Sequence, residues 1–283
     1  MSQVISFINM KGGVGKTTLA VNVGYGLAHQ HGKRVLLVDA DPQFNASTYL
    51  MTEQDYLDHI NDKKKHTILH IFLPRRPGHV STVQGRASLA RKGTPSLSSC
   101  TFRAFDGPGC LDLIPSTLAL MELEMSPRTT ENRLHNFLKE KAGGYDYVLI
   151  DCPPTISIFN QAAALASDGY LVPLKPDPLS TIGLPLLERW LEEFMENAGI
   201  QLVHVGMVFC MVRSPLPNRM KKVMKDLRDK RSDEVFANHM TQTTKVAESV
   251  EAHKPVFLHA KGSKWAKEVL LITEEFVART EGE

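Results

Sequence analysis

The chain has 283 residues, 42% of them hydrophobic, and its 33 basic and 31 acidic side chains leave a formal net charge of +2. That is enough apolar material for one substantial α/β domain, and a net charge so small does not announce a nucleic-acid binder by composition, so any such role must rest on local clusters. The four cysteines, Cys100, Cys110, Cys152 and Cys210, show no CxxC spacing, which argues against a zinc site and against a secreted disulfide framework.

In chain order, Met-Ser-Gln leads into an apolar run from Val4 to Ile8, rich in β-branched residues, which reads as a strand. No basic-then-apolar leader precedes it, and no stretch reaches the ~18 to 20 apolar residues of a membrane span. The expectation is a cytoplasmic protein without a stable membrane anchor. Thr17 to His31 carries helical periodicity through Leu19, Val23 and Leu27. Val35 to Val38 is a second apolar strand closed by Asp39, Tyr147 to Ile150 a third closed by Asp151, and Gly169 to Leu174 and Gln201 to Phe209 repeat the pattern. Near-continuous apolar strands alternating with helices predict a doubly wound, mostly parallel sheet with helices on both faces. Further helices are expected at Asn132 to Lys141, Ile158 to Ala166, Leu179 to Asn197, Asn218 to Arg231, Thr244 to Ala252 and Ser263 to Arg279. Residues 74–109, rich in Pro, Gly, Ser and Thr, read as an irregular basic insertion in a single domain spanning 1–283.

Lys11-Gly12-Gly13-Val14-Gly15-Lys16-Thr17-Thr18 falls between the first strand and the first helix. Glycines let the backbone curl so that successive N–H groups point at phosphate oxygens, and the helix start adds its positive end. In such a loop Lys16 neutralises the outer phosphates and Thr17 holds Mg. The usual pattern has a glycine five residues before Gly15; this chain has Met10 there, with Lys11 beside it.

Three blocks, KGGVGKTT at 11–18, VLLVDADPQFNAS at 35–47 and YDYVLIDCPP at 145–154, resemble the ParA/MinD family of deviant Walker A P-loop ATPases, most closely its ParA branch. Weaker similarity continues in VPLKPDPLSTIGLPLL and KVAESVEAHKPVF. The resemblance implies ATP and Mg as cofactors, and a homodimer that sandwiches nucleotide, with Lys11 reaching the partner's phosphates. It implies that Asp41 orients the attacking water, while Asp39 and Asp151 support Mg through water and hydrogen bonds. It further implies nonspecific DNA binding, nucleoid association, and a ParB-like or other cargo adaptor that stimulates hydrolysis. The chain departs from the family at Phe44, where a small residue is usual, around Cys210, Met211 and Thr241 near the base pocket, and at Gln242, near which an arginine is common.

Charge is distributed unevenly. Between Lys63 and Phe105 there are nine Lys and Arg, among them Arg75, Arg76, Arg86, Arg91 and Lys92, and no Asp or Glu. A second cluster includes Lys221, Lys225 and Arg228, which share one face of a predicted helix, diluted by Asp226 and Asp229. Each cluster can track a phosphate backbone; each can equally be solvated surface. Three rivals to DNA partition stand beside it. A MinD-like membrane switch needs a basic amphipathic C-terminal helix, whereas this chain ends in Thr280-Glu281-Gly282-Glu283. An iron-sulfur carrier needs paired cysteines, and Cys100 and Cys110 read instead as plain thiols. The third is an ATP-driven switch that gates a protein complex without DNA.

Overall fold

The computed structural model describes residues 2–73, 94–123 and 130–282. Its elements begin β1 (Gln3–Phe7), α1 (Lys16–Gln30), β2 (Arg34–Asp39), α2 (Asn45–Leu50), α3 (Glu53–Asn61), α4 (Ile68–Phe72), α5 (Leu97–Cys100), β3 (Phe102–Asp106) and β4 (Cys110–Ile114). After a 3-10 turn at Leu118–Leu123 come α6 (Asn132–Lys141), β5 (Tyr147–Asp151), α7 (Ile158–Ala166), β6 (Gly169–Leu174), α8 (Pro178–Ala198) and β7 (Val203–Val212). The chain closes with α9 (Asn218–Lys230), β8 (Val235–Thr241), α10 (Thr244–Glu251), α11 (Val256–His259) and α12 (Lys264–Glu281).

The strands form one sheet in the order β3-β4-β2-β5-β1-β6-β7-β8, parallel throughout except for β3 against β4. Alternation along each strand divides the core in two. Leu36 and Val38 of β2 and Val148 and Ile150 of β5 face the layer built by α4, α6, α7 and α8. Val35, Leu37, Tyr147 and Leu149 face the layer of α1, α2, α11 and α12. Both faces being covered is why these strands are apolar without interruption. α1 approaches α12 closely enough that a Cβ at Gly26 would lie 2.6 Å from Thr273 Oγ1, so this crossing requires glycine.

The seven helices expected from the sequence lie within two residues of their expected bounds, as do four of the five expected strands; β7 runs three residues past its expected end, and α3, at nine residues, was not expected. Three strands were not expected. β4 (CLDLI) has its apolar run broken by Asp112, which is buried because the Arg103 guanidinium and the Tyr145 hydroxyl satisfy its carboxylate. β8 (VFANHMT) is an edge strand with polar positions. Side chains take the place of a further strand along it: Glu275 accepts from Ala237 N at 3.0 Å, Glu268 from Thr241 N at 2.8 Å, and Trp265 Nε1 donates to Thr241 O at 2.8 Å. That arrangement closes the edge to pairing. β3 corrects the reading of 74–109 as irregular, since 97–106 forms α5 and the antiparallel edge of the sheet; residues 74–93 lie outside the described residues.

Candidate nucleotide site

The order β2-β5-β1 brings three loops to one end of the sheet, with Asp39 paired in register with Asp151, and Phe7 with Asp151 on the other side. From β1 the chain winds first toward β2 and β4 and later toward β6, β7 and β8, so this end is the crevice at which open α/β sheets take ligands. A cleft of 380 Å³ there is lined by Gly12, Gly13, Gly15, Lys16, Thr17 and Thr18 together with Asp41 and Tyr49.

The loop has the geometry its glycines allow. Gly13 (φ 68) and Gly15 (φ 94) are left-handed, and a Cβ at Gly15 would lie 3.2 Å from both Cys210 Cβ and Met240 Cε. Gly15 caps α1 without a side-chain partner, which leaves the first N–H groups of the helix aimed into the cleft. Val14 is buried and pins the loop from below. Asn9, also buried, ties the loop's entry: its Oδ1 accepts from Lys11 N at 2.9 Å and its Nδ2 donates to Pro173 O at 2.7 Å. Lys16 Nζ donates to Lys11 O at 3.2 Å. Burial lowers its pKa, against the pull of Asp151, Cys152 and Asp41, so the cleft holds a cation with few partners of its own.

Two carboxylates, Asp151 and Asp41, act on that cation, and a third, Asp39, lies behind them. Asp151 is fully buried; its Oδ2 accepts from Thr17 Oγ1 at 2.7 Å, while its Oδ1 is buried with no partner. Burial raises its pKa to about 7, although Thr17 and Lys16 favour the charged form. Asp39, equally buried, is raised well above the usual carboxylate range by burial and then by Asp151 beside it. Two carboxylates side by side out of water favour a shared proton or a bound cation. Asp41, 4% exposed, is raised by burial, and its Oδ1 accepts from Gln43 N at 2.9 Å. Asp39 does not face the cleft as a ligand would: its Oδ2 accepts from Ser47 N at 2.8 Å and Ser47 Oγ at 2.7 Å. It therefore anchors α2 rather than reaching outward.

Lys11 is held within its own chain, with Nζ 2.8 and 2.6 Å from the two oxygens of Asp177. Asp177 caps α8 by accepting from Ser180 N at 3.0 Å. Burial pushes the Asp177 carboxyl up, but Lys11 and Ser180 outweigh it and hold it below its ordinary value. Beyond this cap Leu179, Ile182 and Leu186 stand exposed in one stripe along α8, and Met121 and Ile156 are exposed beside the same cleft. Asp177, Ser47 and Ser116 were not anticipated as site residues: Ser47 closes the second block, Asp177 lies within the weaker similarity of VPLKPDPLSTIGLPLL, and Ser116, whose hydroxyl donates to Asp41 O, is brought in by tertiary structure alone.

The basic clusters divide. Arg75, Arg76, Arg86, Arg91 and Lys92 lie outside the described residues. Lys63 and Lys64 are exposed after α3, and Arg103 is occupied by Asp106 and Asp112. On α9, Lys221 and Lys222 are exposed, whereas Lys225 pairs with Asp229 at 2.6 Å. Arg228 donates to Ala237 O at 3.0 Å and sits 5.7 Å over the Phe209 ring; Arg231 is bound by Glu188 and Glu234. No described helix is long and apolar enough to cross a membrane. All four cysteines are buried and none forms a disulfide.

Comparison with known proteins agrees with this geometry. An AAA-domain family matches residues 2–203. The chromosome partitioning protein ParA of Caulobacter vibrioides is 31% identical over 98% of this chain and 94% of its own length. The sporulation initiation inhibitor protein Soj of Bacillus subtilis is 28% identical over 98% and 99%. Among solved structures, an ATP complex of McdA from Cyanothece superposes with a TM-score of 0.76 at 17% identity, covering 98% of this chain and 96% of that one; at that identity the match speaks for the fold. With a phosphate cradle, an acidic crevice and sequence similarity along nearly its whole length, the chain belongs to this AAA-domain family and is a P-loop ATPase of the ParA type.

Proposed function

We propose that the protein binds ATP with Mg in the 11–18 cradle, closes into a nucleotide-sandwich dimer, binds DNA nonspecifically in that state, and hydrolyses ATP when a cargo-bound adaptor protein stimulates it. The observation that carries the nucleotide part is the buried, unpartnered Oδ1 of Asp151 beside Thr17 and Lys16. A water-shielded carboxylate oxygen with no protein partner suits a cation's hydration shell, and Thr17 Oγ1 is the ligand oxygen next to it. When bound, Mg offsets charge on the phosphoryl oxygens. Gly12 to Thr18 hold the phosphates through backbone N–H groups, Lys16 leaves the Lys11 carbonyl for them, and Asp41 orients the water. Asp39 acts by anchoring α2. Similarity to a protein named for chromosome partitioning supports the cargo role.

The dimer reading is supported by the apolar stripe at Leu179, Ile182 and Leu186 on the cleft side of the molecule, next to the residue that holds Lys11. In the dimer Lys11 exchanges Asp177 for the partner's phosphates. DNA contact falls to the exposed lysines of α9, Lys221 and Lys222, with Lys225 available once parted from Asp229, and to the basic residues of 63–103. The test is DNA retention with ATP, with ADP and without nucleotide, at two salt concentrations, beside Lys16→Ala. ATP-dependent, salt-sensitive retention that Lys16→Ala abolishes is the expected result. ATP-driven dimerisation with no DNA retention would replace this reading with a switch that gates a protein complex.

A further inference from the structure

Ser116 lies two residues beyond β4 and is fully buried. Two of its three polar groups are spent on the segment that carries Asp41 and the third on α3. Its N–H donates to Ser47 Oγ at 2.9 Å, its hydroxyl donates to Asp41 O at 2.7 Å, and its carbonyl accepts from the Tyr56 hydroxyl at 3.0 Å. One residue thus ties both ends of the 41–47 loop, and α3 as well. Ser47 Oγ passes the connection on to Asp39 at 2.7 Å.

The loop held in this way is strained at its middle. Phe44 has φ 46 and ψ 39, a left-handed conformation that a bulky non-glycine residue adopts only when its surroundings impose it. Its N–H donates to the same Asp41 carbonyl at 2.8 Å, and its ring stacks on Tyr56 with centroids 5.4 Å apart and planes 12° from parallel. Tyr56 therefore holds both Ser116, through its hydroxyl, and Phe44, through its ring. The Asp41 side chain, with its carbonyl clamped by two donors, has little freedom relative to the cleft.

We propose that Ser116 is a positioning residue for ATP hydrolysis, acting on the Asp41 carboxylate through the Asp41 backbone, with the Phe44–Tyr56 stack as the outer support of the same clamp. The inference rests on Asp41 as the residue that orients the attacking water. Displacement of such a group by a fraction of an ångström is enough to slow a reaction without loosening the bound substrate. Lys16, Thr17 and the glycines hold phosphate from the other side of the cleft, so losing the clamp separates chemistry from binding.

The experiment uses the full chain with ATP and Mg. Ser116→Ala keeps the N–H bond to Ser47 and removes only the hydroxyl to Asp41; Ser116→Thr restores it. The readouts are nucleotide affinity and the single-turnover hydrolysis rate, for each variant alone and on an Asp41→Asn background. The expected result is affinity within about twofold, hydrolysis slowed about tenfold, recovery with threonine, and no further loss when Ser116→Ala is added to Asp41→Asn. Tyr56→Phe, at a half-buried position, gives a smaller loss of the same kind and serves if Ser116→Ala does not fold. The inference is overturned if affinity and rate fall together, if the loss repeats in full on the Asp41→Asn background, or if Ser116→Ala and Tyr56→Phe both hydrolyse normally. If Asp41→Asn alone leaves hydrolysis intact, it is the reading of Asp41 that fails.

Discussion

The crevice at the ends of β1, β2 and β5 and the outer face of α9 are both rich in charged side chains, yet they are built on opposite principles. In the crevice, Asp39, Asp41, Asp151 and Lys16 are buried, and hydrogen bonds to Ser47, Gln43 and Thr17 fix the three carboxylates. On α9, Lys221, Lys222 and Lys225 are exposed, and the neighbouring cations Arg228 and Arg231 are drawn back onto the protein by Ala237 O, Glu188 and Glu234. Buried charge has to be paired or poised for a ligand, because leaving it otherwise costs several kcal/mol per ion. Exposed charge costs almost nothing and so carries far less information about purpose.

The largest expected effect is at the cradle. Lys16→Ala removes a cation that lines it and should lower ATP hydrolysis by about a hundredfold or more, measured as phosphate release at saturating ATP. A loss of less than tenfold would mean that buried charge here is structural, and the contrast with α9 would dissolve.

The next effect is on stability without Mg. Asp151 has its pKa raised to about 7 from 3.8 by burial, so the folded state binds this proton more tightly than the unfolded state. Its contribution to stability is complete below about pH 4 and is lost as the pH rises through 7. Asp39 and Asp41 shift in the same direction, and Lys16 opposes the shifts of Asp41 and Asp151. Thermal unfolding in a chelator should show Tm falling by a few degrees over that range, and Asp151→Asn should flatten the curve. An unchanged slope in the variant would assign the pH dependence elsewhere.

The α9 face should respond more gently. Reversing Lys221 and Lys222 to Glu should reduce the slope of log affinity for DNA against log salt by about 1 to 2 and leave hydrolysis without DNA unaltered. If the slope stays the same, the contacts lie in 63–103 and the α9 lysines are solvated surface. The smallest effect is at the Lys11–Asp177 pair, whose side chains are 32% and 22% exposed. Asp177→Asn retains a helix cap while releasing Lys11, so unfolding stability should change by no more than about 1 kcal/mol.

What the sequence made legible follows the same division. The cradle, Asp39, Asp41 and Asp151 could be read because each sits at a set distance from an apolar strand, and strands buried on both faces are unmistakable. β4 and β8 were hidden because Asp112 and the polar positions of an edge strand interrupt the pattern, and β3 because a short edge strand with one exposed face has none. Ser116 could not be read, since it has no local signature and reaches the site only when β4 pairs with β2; Asp177 carries the Asp-Pro signature of a helix start, but its pairing with Lys11 depends on α8 starting beside the cradle. Phe44 was legible as a departure, but its left-handed backbone and its partner Tyr56 were not. The placement of Lys11 on Asp177 within one protomer likewise belongs to tertiary structure.

Whether two protomers complete each site, as proposed, is tested most directly by ATP hydrolysis in mixed dimers of Lys11→Ala and Asp41→Ala. If Lys11 acts on its partner's nucleotide, a mixed dimer has one site with both Asp41 and an incoming Lys11. An equal mixture should then recover about a quarter of wild-type activity from two nearly inactive variants, by random pairing in a twofold dimer. Mixtures that stay as inactive as the variants themselves, with dimers demonstrably formed, would confine Lys11 to its own protomer and contradict the account.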